Sequence, residues 1–255
     1  MSQSTVTGAR PAAPQVGMVR VRDATKPSPR QLVRFSFYRV LPEWRRQEHG
    51  VRREQRAELA EVLRRHSQAL ILRTYTLVGT RGDSDLMIWA VSEEPERLQA
   101  LFADFNRTAL AGYLSSSHSY TSMTKRSIYV DRDHPNQSRG RDRLVLAPGS
   151  RRFLFVYPFV KTRSWWSLPP EERQRMMEEH IRLGHEFPSV KINTTYSFGL
   201  DDQEFVVAFE SDSPADFLDC VQALRDTEAS SYTLRDVPSF TCLSCPIEEM
   251  LEALG

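Results

Sequence analysis

Charge of one sign is what this chain lacks. Thirty-four Lys and Arg stand against thirty-three Asp and Glu, a formal net charge of +1, so the whole-molecule field gives no reason to expect nucleic acid or an anionic membrane as partner. No apolar run approaches the roughly 18 to 20 residues of a membrane-spanning helix. The N-terminal MSQSTVTGARPAAPQVGMVRV has no uninterrupted apolar core of the signal-peptide kind, and a cytoplasmic protein without a membrane span is expected. Cysteine is scarce: Cys220, Cys242 and Cys245. An odd count with a single CxxC gives no second CxxC to complete a zinc site, and the three are expected as reduced thiols, with a redox role for Cys242 and Cys245 left open. There is no HExxH, which excludes a zinc-protease helix.

What is present suits an ordinary globular protein. With 255 residues, 40% hydrophobic and 26% charged, the chain can bury one large core or two moderate ones. Residues 1–29, rich in Ser, Thr, Pro and Ala without hydrophobic periodicity, are expected to form a flexible tail. From there LVRFSFYRV alternates as a strand does, and PEWRRQEHGVRREQRAELAEVLRRH has the composition of one charged amphipathic helix. ALILRTYTLVG and LMIWAV are strands around TRGDSD, EEPERLQALFADFNRTALAGYL is a helix, and SYTSMTKRSIYV is a strand. The order β-α-β-β-α-β then repeats: RRFLFVYPFVK, LPPEERQRMMEEHIRLG with proline in its first turn, SVKINTTYSFG, QEFVVAFES, SPADFLDCVQALRDTEAS and PSFTCLSC. The two stretches TYTLVGTRGDSDLMIWAV and TYSFGLDDQEFVVAFES share a Thr-Tyr strand, a Gly-Asp hairpin and a hydrophobic strand. A period of about 120 residues is a duplicated domain rather than a solenoid. The expected fold is α+β: two ferredoxin-like halves, residues 30–135 and 151–255, joined by a linker at 136–150 and packed as a dimeric α+β barrel within one chain.

The polar residues of the second half gather in two places. Strand alternation puts Phe155, Tyr157, Phe159 and Lys161 on one face, an aromatic face ending in a cation, which by itself also fits core aromatics with a snorkelling lysine. In the next helix Met176, Met177, His180, Leu183 and Phe187 share an apolar stripe, while Arg175, Glu178, Glu179 and Arg182 cover the other side. His180 therefore points inward. His185 lies about 140° further round, past Gly184 where the helix is expected to end, so the pair cannot easily chelate one small ion. A single inward histidine beside a large apolar pocket matches haem iron, because the porphyrin supplies four nitrogens and the protein needs to add only one.

RLVLAPGSRRFLFVYPFVKTRSWW, the helix ending in EEH, INTTYSFGLDDQEF, LRDTEAS and, in the first half, LVGTRGDSDLMIW together resemble the chlorite dismutase-like superfamily, and within it the coproheme decarboxylases. The resemblance covers essentially the whole folded chain. It implies a hydrogen-peroxide-dependent conversion of Fe-coproporphyrin III (coproheme) to haem b, in which coproheme is both substrate and redox centre. It also implies His180 as the iron ligand and Tyr157 as the residue oxidised to a radical. The strand motif Tyr157, Pro158, Phe159, Val160 and Lys161 would wall the porphyrin, with Lys161, Arg143 and Ser230 binding propionates. Ile192 stands where chlorite dismutases carry a distal arginine, which makes chlorite chemistry unexpected and leaves the activation of peroxide open. Trp165 and Trp166 fit either the porphyrin edge or domain packing. A homo-oligomer, a homopentamer by resemblance, is implied. The remaining alternatives are a haem-binding or haem-transfer protein without decarboxylase activity and a purely structural barrel.

Overall fold

The computed structural model describes residues 30–127, 129 and 144–255. The expected tail at 1–29, Arg143 and most of the expected linker lie outside the described residues. Alternation builds β1 (Leu32–Val40), β2 (Ile71–Thr76), β3 (Leu86–Ser92) and β4 (Leu114–Met123) in the first half, and β5 (Phe153–Lys161), β6 (Lys191–Tyr196), β7 (Phe205–Ser211) and β9 (Phe240–Ser244) in the second. A short β8 (Thr233–Arg235) pairs with the end of β5.

Each half is an antiparallel sheet in ferredoxin-like order, β4-β1-β3-β2 and β9-β5-β7-β6, and the two join through β2–β9 and β4–β6 into one closed ring with β8 outside it. Closure removes the exposed edges that two separate four-stranded sheets would carry. Inward side chains fill the barrel: Val33, Phe35 and Phe37 from β1, Met87 and Trp89 from β3, Leu154 and Val156 from β5, and Phe240 and Cys242 from β9. Burial pushes the Cys242 thiol far up, so it packs there as a small apolar residue.

The helices lie outside the barrel. Over the first half, α2 (His49–Ser67), α3 (Pro95–Arg107) and α7 (Ile247–Glu252) press Leu59, Leu63, Leu101, Phe105, Met250 and Leu251 onto Val40, Leu72, Ile88 and Ala90, and that layer is filled. Over the second half stand the short α4 (Arg163–Ser167), α5 (Pro170–His185) and α6 (Pro214–Arg225), and the layer there is split. One cluster gathers Phe155, Phe209, Cys220 and Leu224, with Tyr157, Leu183 and Phe187 against it. Another gathers Trp165, Met176 and Ala229.

Several expectations are corrected. The single first helix is two, α1 (Pro42–Arg45) and α2, because the chain turns at Arg46–Glu48 to bury Trp44 under α2, where its indole donates to Gln55 Oε1 at 2.8 Å. Gly184 does not end its helix. α5 runs on to His185, and the missing side chain serves close approach instead: a Cβ there would sit 3.7 Å from Ile192 Cδ1 and 4.0 Å from Leu224 Cδ2. β4 starts five residues earlier than its SYTSM core suggests, since pairing along β1 outweighs the weak strand propensity of Ser-Ser-Ser. The helix of the second half stops at Arg225, and a 3-10 turn at Glu228–Tyr232 follows.

Candidate functional site

The site is built on the outward face of β5, β7 and β6. Their register aligns Phe155 with Phe209 and Ile192, Tyr157 with Val207 and Thr194, and Phe159 with Phe205 and Tyr196. These rows make an aromatic and apolar floor. Tyr157 stacks on Phe209 with ring centroids 5.8 Å apart, and Phe159 and Tyr196 both meet Phe205. Val156 and Phe240 end the pairing of β5 with β9, and Val160 begins its pairing with β8, so Pro158 falls in the gap between the two partners, where a missing N–H is tolerated.

α5 crosses this floor. Its Met176 and Met177 belong to the Trp165 cluster, its Leu183 and, just past its end, Phe187 to the Phe155 cluster, and His180 stands between the two. The His180 imidazole is half-buried, with Nδ1 2.9 Å from Thr227 Oγ1. Among the described residues its Nε2 has no hydrogen-bond partner. Burial, and then the nearby Lys161 charge, push its pKa down to about 4, so the ring is neutral and keeps a lone pair at neutral pH. His185 is exposed at the end of α5.

Lys161 closes the strand and is 8% exposed. Its ammonium donates to the Ala229 carbonyl and lies 4.4 Å from the centre of the Trp165 ring. Burial lowers its pKa to about 8, against the opposing pull of Glu204. The Glu204 carboxylate accepts from the Lys161 backbone N–H at 2.9 Å and from Trp166 Nε1 at 2.8 Å. This fixes Trp166 against Phe198 and Phe205, while Trp165 is buried in packing. Val160, Lys161, Arg163, Phe198, Glu204 and Leu234 line an open cavity of about 300 Å³ at this end of β5.

Ser230 sits in the 3-10 turn after α6 and donates its hydroxyl to the Arg225 carbonyl. A second hollow of about 320 Å³ joins Ser230 to Arg225, Thr233, Leu234 and Asp236, with Arg225 and Asp236 ion-paired at 2.5 Å. Both charges reach Tyr157: burial first, then Asp236, hold the phenol pKa well above its usual value, and Arg225 opposes them. Ile192, 43% exposed, lies on the outer face of β6 against α5 at Gly184, one turn beyond His180.

The structure thus brings Tyr157, Phe159, Lys161, His180, Ile192 and Ser230 to one face of the second half. Pro158 and Val160 alternate to the other side of β5, and Arg143 lies outside the described residues. Sequence reasoning missed Thr227, Glu204, Arg225 and Asp236. Arg225 and Thr227 had a signal in their place within LRDTEAS and Glu204 in its place within INTTYSFGLDDQEF, whereas Asp236 had none. Among the described residues no cluster of three or more His, Cys, Asp or Glu could hold a bare metal ion, and none of the helices there is long and apolar enough to cross a membrane. A neutral histidine with one satisfied and one unpaired ring nitrogen, over an aromatic floor, fits an iron that arrives with its own equatorial ligands.

Comparison with known proteins places this arrangement. The family model described as chlorite dismutase matches residues 52–245. A coproheme decarboxylase from Mycolicibacterium smegmatis is 30% identical over 227 residues, covering 86% of this chain and 92% of that protein. A chlorite dismutase from Ideonella dechloratans is 27% identical over 231 residues, covering 89% and 81%. The solved structure of chlorite dismutase from Candidatus Nitrospira defluvii in complex with imidazole aligns with a TM-score of 0.79 at 25% identity, over 88% of this chain and 94% of that one. A family model across most of the folded residues, a relative at 30% identity aligned over nearly its whole length and the shared duplicated barrel lead to one conclusion: the chain belongs to the chlorite dismutase family.

Proposed function

We propose that this chain is a coproheme decarboxylase, which uses hydrogen peroxide to turn two propionates of Fe-coproporphyrin III into the vinyl groups of haem b. The observation that carries the reading is the presence of His180, neutral with Nε2 unpaired, on the helix that packs over the outward sheet face where Tyr157 stands as a half-buried neutral phenol. The similarity to the Mycolicibacterium smegmatis coproheme decarboxylase supports it. Each propionate, R-CH2-CH2-COO⁻, with one H2O2 and one H⁺ gives R-CH=CH2, CO2 and two H2O, a two-electron oxidation. The substrate's own iron supplies the oxidising chemistry when peroxide is present.

The chain's residues hold and direct that chemistry. His180 binds the iron through Nε2. Tyr157 gives up its phenolic hydrogen and, as the radical, takes a hydrogen atom from the β-carbon of the propionate lying beside it. Loss of CO2 and of a second electron from that propionate leaves the vinyl group. Lys161, Ser230 and Arg143 receive propionates, the cations through charge-assisted hydrogen bonds. For Lys161 this means exchanging the Ala229 carbonyl for a carboxylate. Phe159 walls the porphyrin edge, Pro158 and Val160 back it from the other side of β5, and Ile192 gives it an apolar neighbour. An isoleucine cannot act as a general base or as a cationic guide for chlorite, so decarboxylation is favoured over chlorite dismutation.

Mixing the purified protein with ferric coproheme, titrating with peroxide and following mass tests the reading. Two successive losses corresponding to CO2 and two hydrogens are expected. Coproheme that binds and never loses mass would favour the haem-binding or haem-transfer alternative, and oxygen release from chlorite would favour dismutation. Assembly as a cytoplasmic homopentamer belongs to the same reading. Phe198, Leu200, Leu234 and Val237 are exposed around the mouth of the site, and light scattering measures the assembly directly.

A further inference from the structure

The hydrogen bond from His180 has a direction that can be worked out. Thr227 is buried, and its Oγ1 lies 2.9 Å from His180 Nδ1 and 2.7 Å from the Leu224 carbonyl oxygen. A hydroxyl has one proton, and a carbonyl can only accept. The Thr227 proton is therefore committed to Leu224, and the oxygen is left to accept from His180. That requires the His180 proton on Nδ1 and the lone pair on Nε2.

The end of α6 supplies the supports of this hydrogen-bonded chain. Leu224 lies in the last turn of α6, where carbonyls lack partners further along the helix, and the Thr227 backbone N–H also reaches the Leu224 carbonyl. The stronger base nearby is turned away: Glu228, the next residue, is ion-paired with Arg175 at 2.8 Å on the outer surface. A carboxylate on Nδ1 would draw the proton toward itself and give the ring anionic character. A hydroxyl that already donates elsewhere polarises the ring far less.

We infer that Thr227 is a positioning residue that holds His180 as the Nδ1-protonated tautomer, presents Nε2 as the donor atom and keeps that donor a neutral imidazole. The inference rests on the proposed function only in calling the acceptor of the Nε2 lone pair an iron. The tautomer itself is a property of the protein alone.

The test starts with full-length, coproheme-free protein labelled with ¹⁵N-histidine. Multiple-bond ¹H–¹⁵N spectra near neutral pH, with His180 assigned by its loss in His180→Gln, should show Nδ1 protonated and Nε2 bare. Thr227→Ser should keep that pattern. Thr227→Val should shift His180 toward the Nε2–H tautomer that free histidine prefers. A wild-type His180 protonated on Nε2 overturns the inference outright, even if the valine variant fails to fold, and so does a Thr227→Val protein with the wild-type pattern. In the ferrous coproheme complex, the iron–histidine stretch in resonance Raman spectra should rise in Thr227→Glu and fall in Thr227→Val. An unchanged stretch in both overturns the neutral-donor part. Protein with the expected tautomer that binds no coproheme would defeat the proposed function and leave the role of Thr227 in setting the tautomer intact.

Discussion

Tyr157 is held protonated by its surroundings. Burial and the Asp236 carboxylate both disfavour the phenolate, so the group is suited to losing a proton together with an electron rather than to acting as an anion. Tyr157→Phe removes one oxygen from a floor that stays otherwise intact. Coproheme affinity should stay within about threefold, a difference of under ~1 kcal/mol, while vinyl formation stops; full turnover by that variant would sink the assignment. His180 carries a pH prediction for the protein without coproheme. Its folded pKa of about 4 lies below the ordinary histidine value of 6.5, so between those values the unfolded chain binds more protons, and stability rises with pH. The contribution is complete above about pH 6.5 and lost as pH falls through 4. Denaturant titrations should show a steeper loss in wild type than in His180→Gln across that window, and parallel curves would refute the depressed pKa. Both residues were legible beforehand, because strand alternation and a helical stripe place them without any tertiary information. Thr227 was not, since its role depends on how the end of α6 folds back toward α5.

At the scale of elements, what the sequence hid was mostly a matter of which face. The Thr-Tyr pairs of the two halves look equivalent, yet Tyr75 opposes Met87 and points into the barrel, whereas Tyr196 opposes Phe205 and points out. The hairpin after Tyr75 carries one residue more before its positive-φ glycine, Gly79, than the hairpin before Gly199. A one-residue shift reverses every side chain of a strand. That shift gives the second half an aromatic outer face and leaves the first half with an ordinary packed one. β8 and α7 escaped notice because three and six residues are too few to show periodicity. Gly184 offers a direct test of the approach of α5 to β6. Alanine there meets its neighbours at ordinary van der Waals distance, and glycine costs a helix up to about 1 kcal/mol relative to alanine. Gly184→Ala should therefore raise the melting temperature by a few degrees with coproheme binding unchanged. Gly184→Leu should push α5 off Ile192 and Leu224 and weaken binding. A destabilised alanine variant would show that the gap between α5 and β6 is tighter than 3.7 Å.

The duplication was visible in the sequence, and so was a barrel; what could not be read was how completely the two halves depend on each other. Closure through β2–β9 and β4–β6 pairs the edge strands of each half with the other. The end of the chain then crosses back: α7 and the residues after it follow the last strand of the second half but deliver Met250, Leu251 and Leu254, all buried, to the layer over the first. Polar links accompany it, with Arg45 Nε donating to the Leu254 carbonyl at 3.0 Å and Arg64 paired with Glu248 at 3.0 Å. The Arg64 pair is exposed and worth at most about 1 kcal/mol. Three fully buried apolar side chains contribute about 1.5–3 kcal/mol each, a sum comparable with the ~5–15 kcal/mol that holds a whole domain folded. A chain ending at Pro246 should accordingly lose most of its stability and bind a hydrophobic dye, although none of the deleted residues touches the candidate site. Glu248→Ala, which keeps the apolar contacts and breaks only the ion pair, should melt within a degree or two of the intact protein. If the truncated chain melts with the intact one and still binds coproheme, the second half and its site do not need the filled layer over the first, and the barrel is two separable folds rather than one.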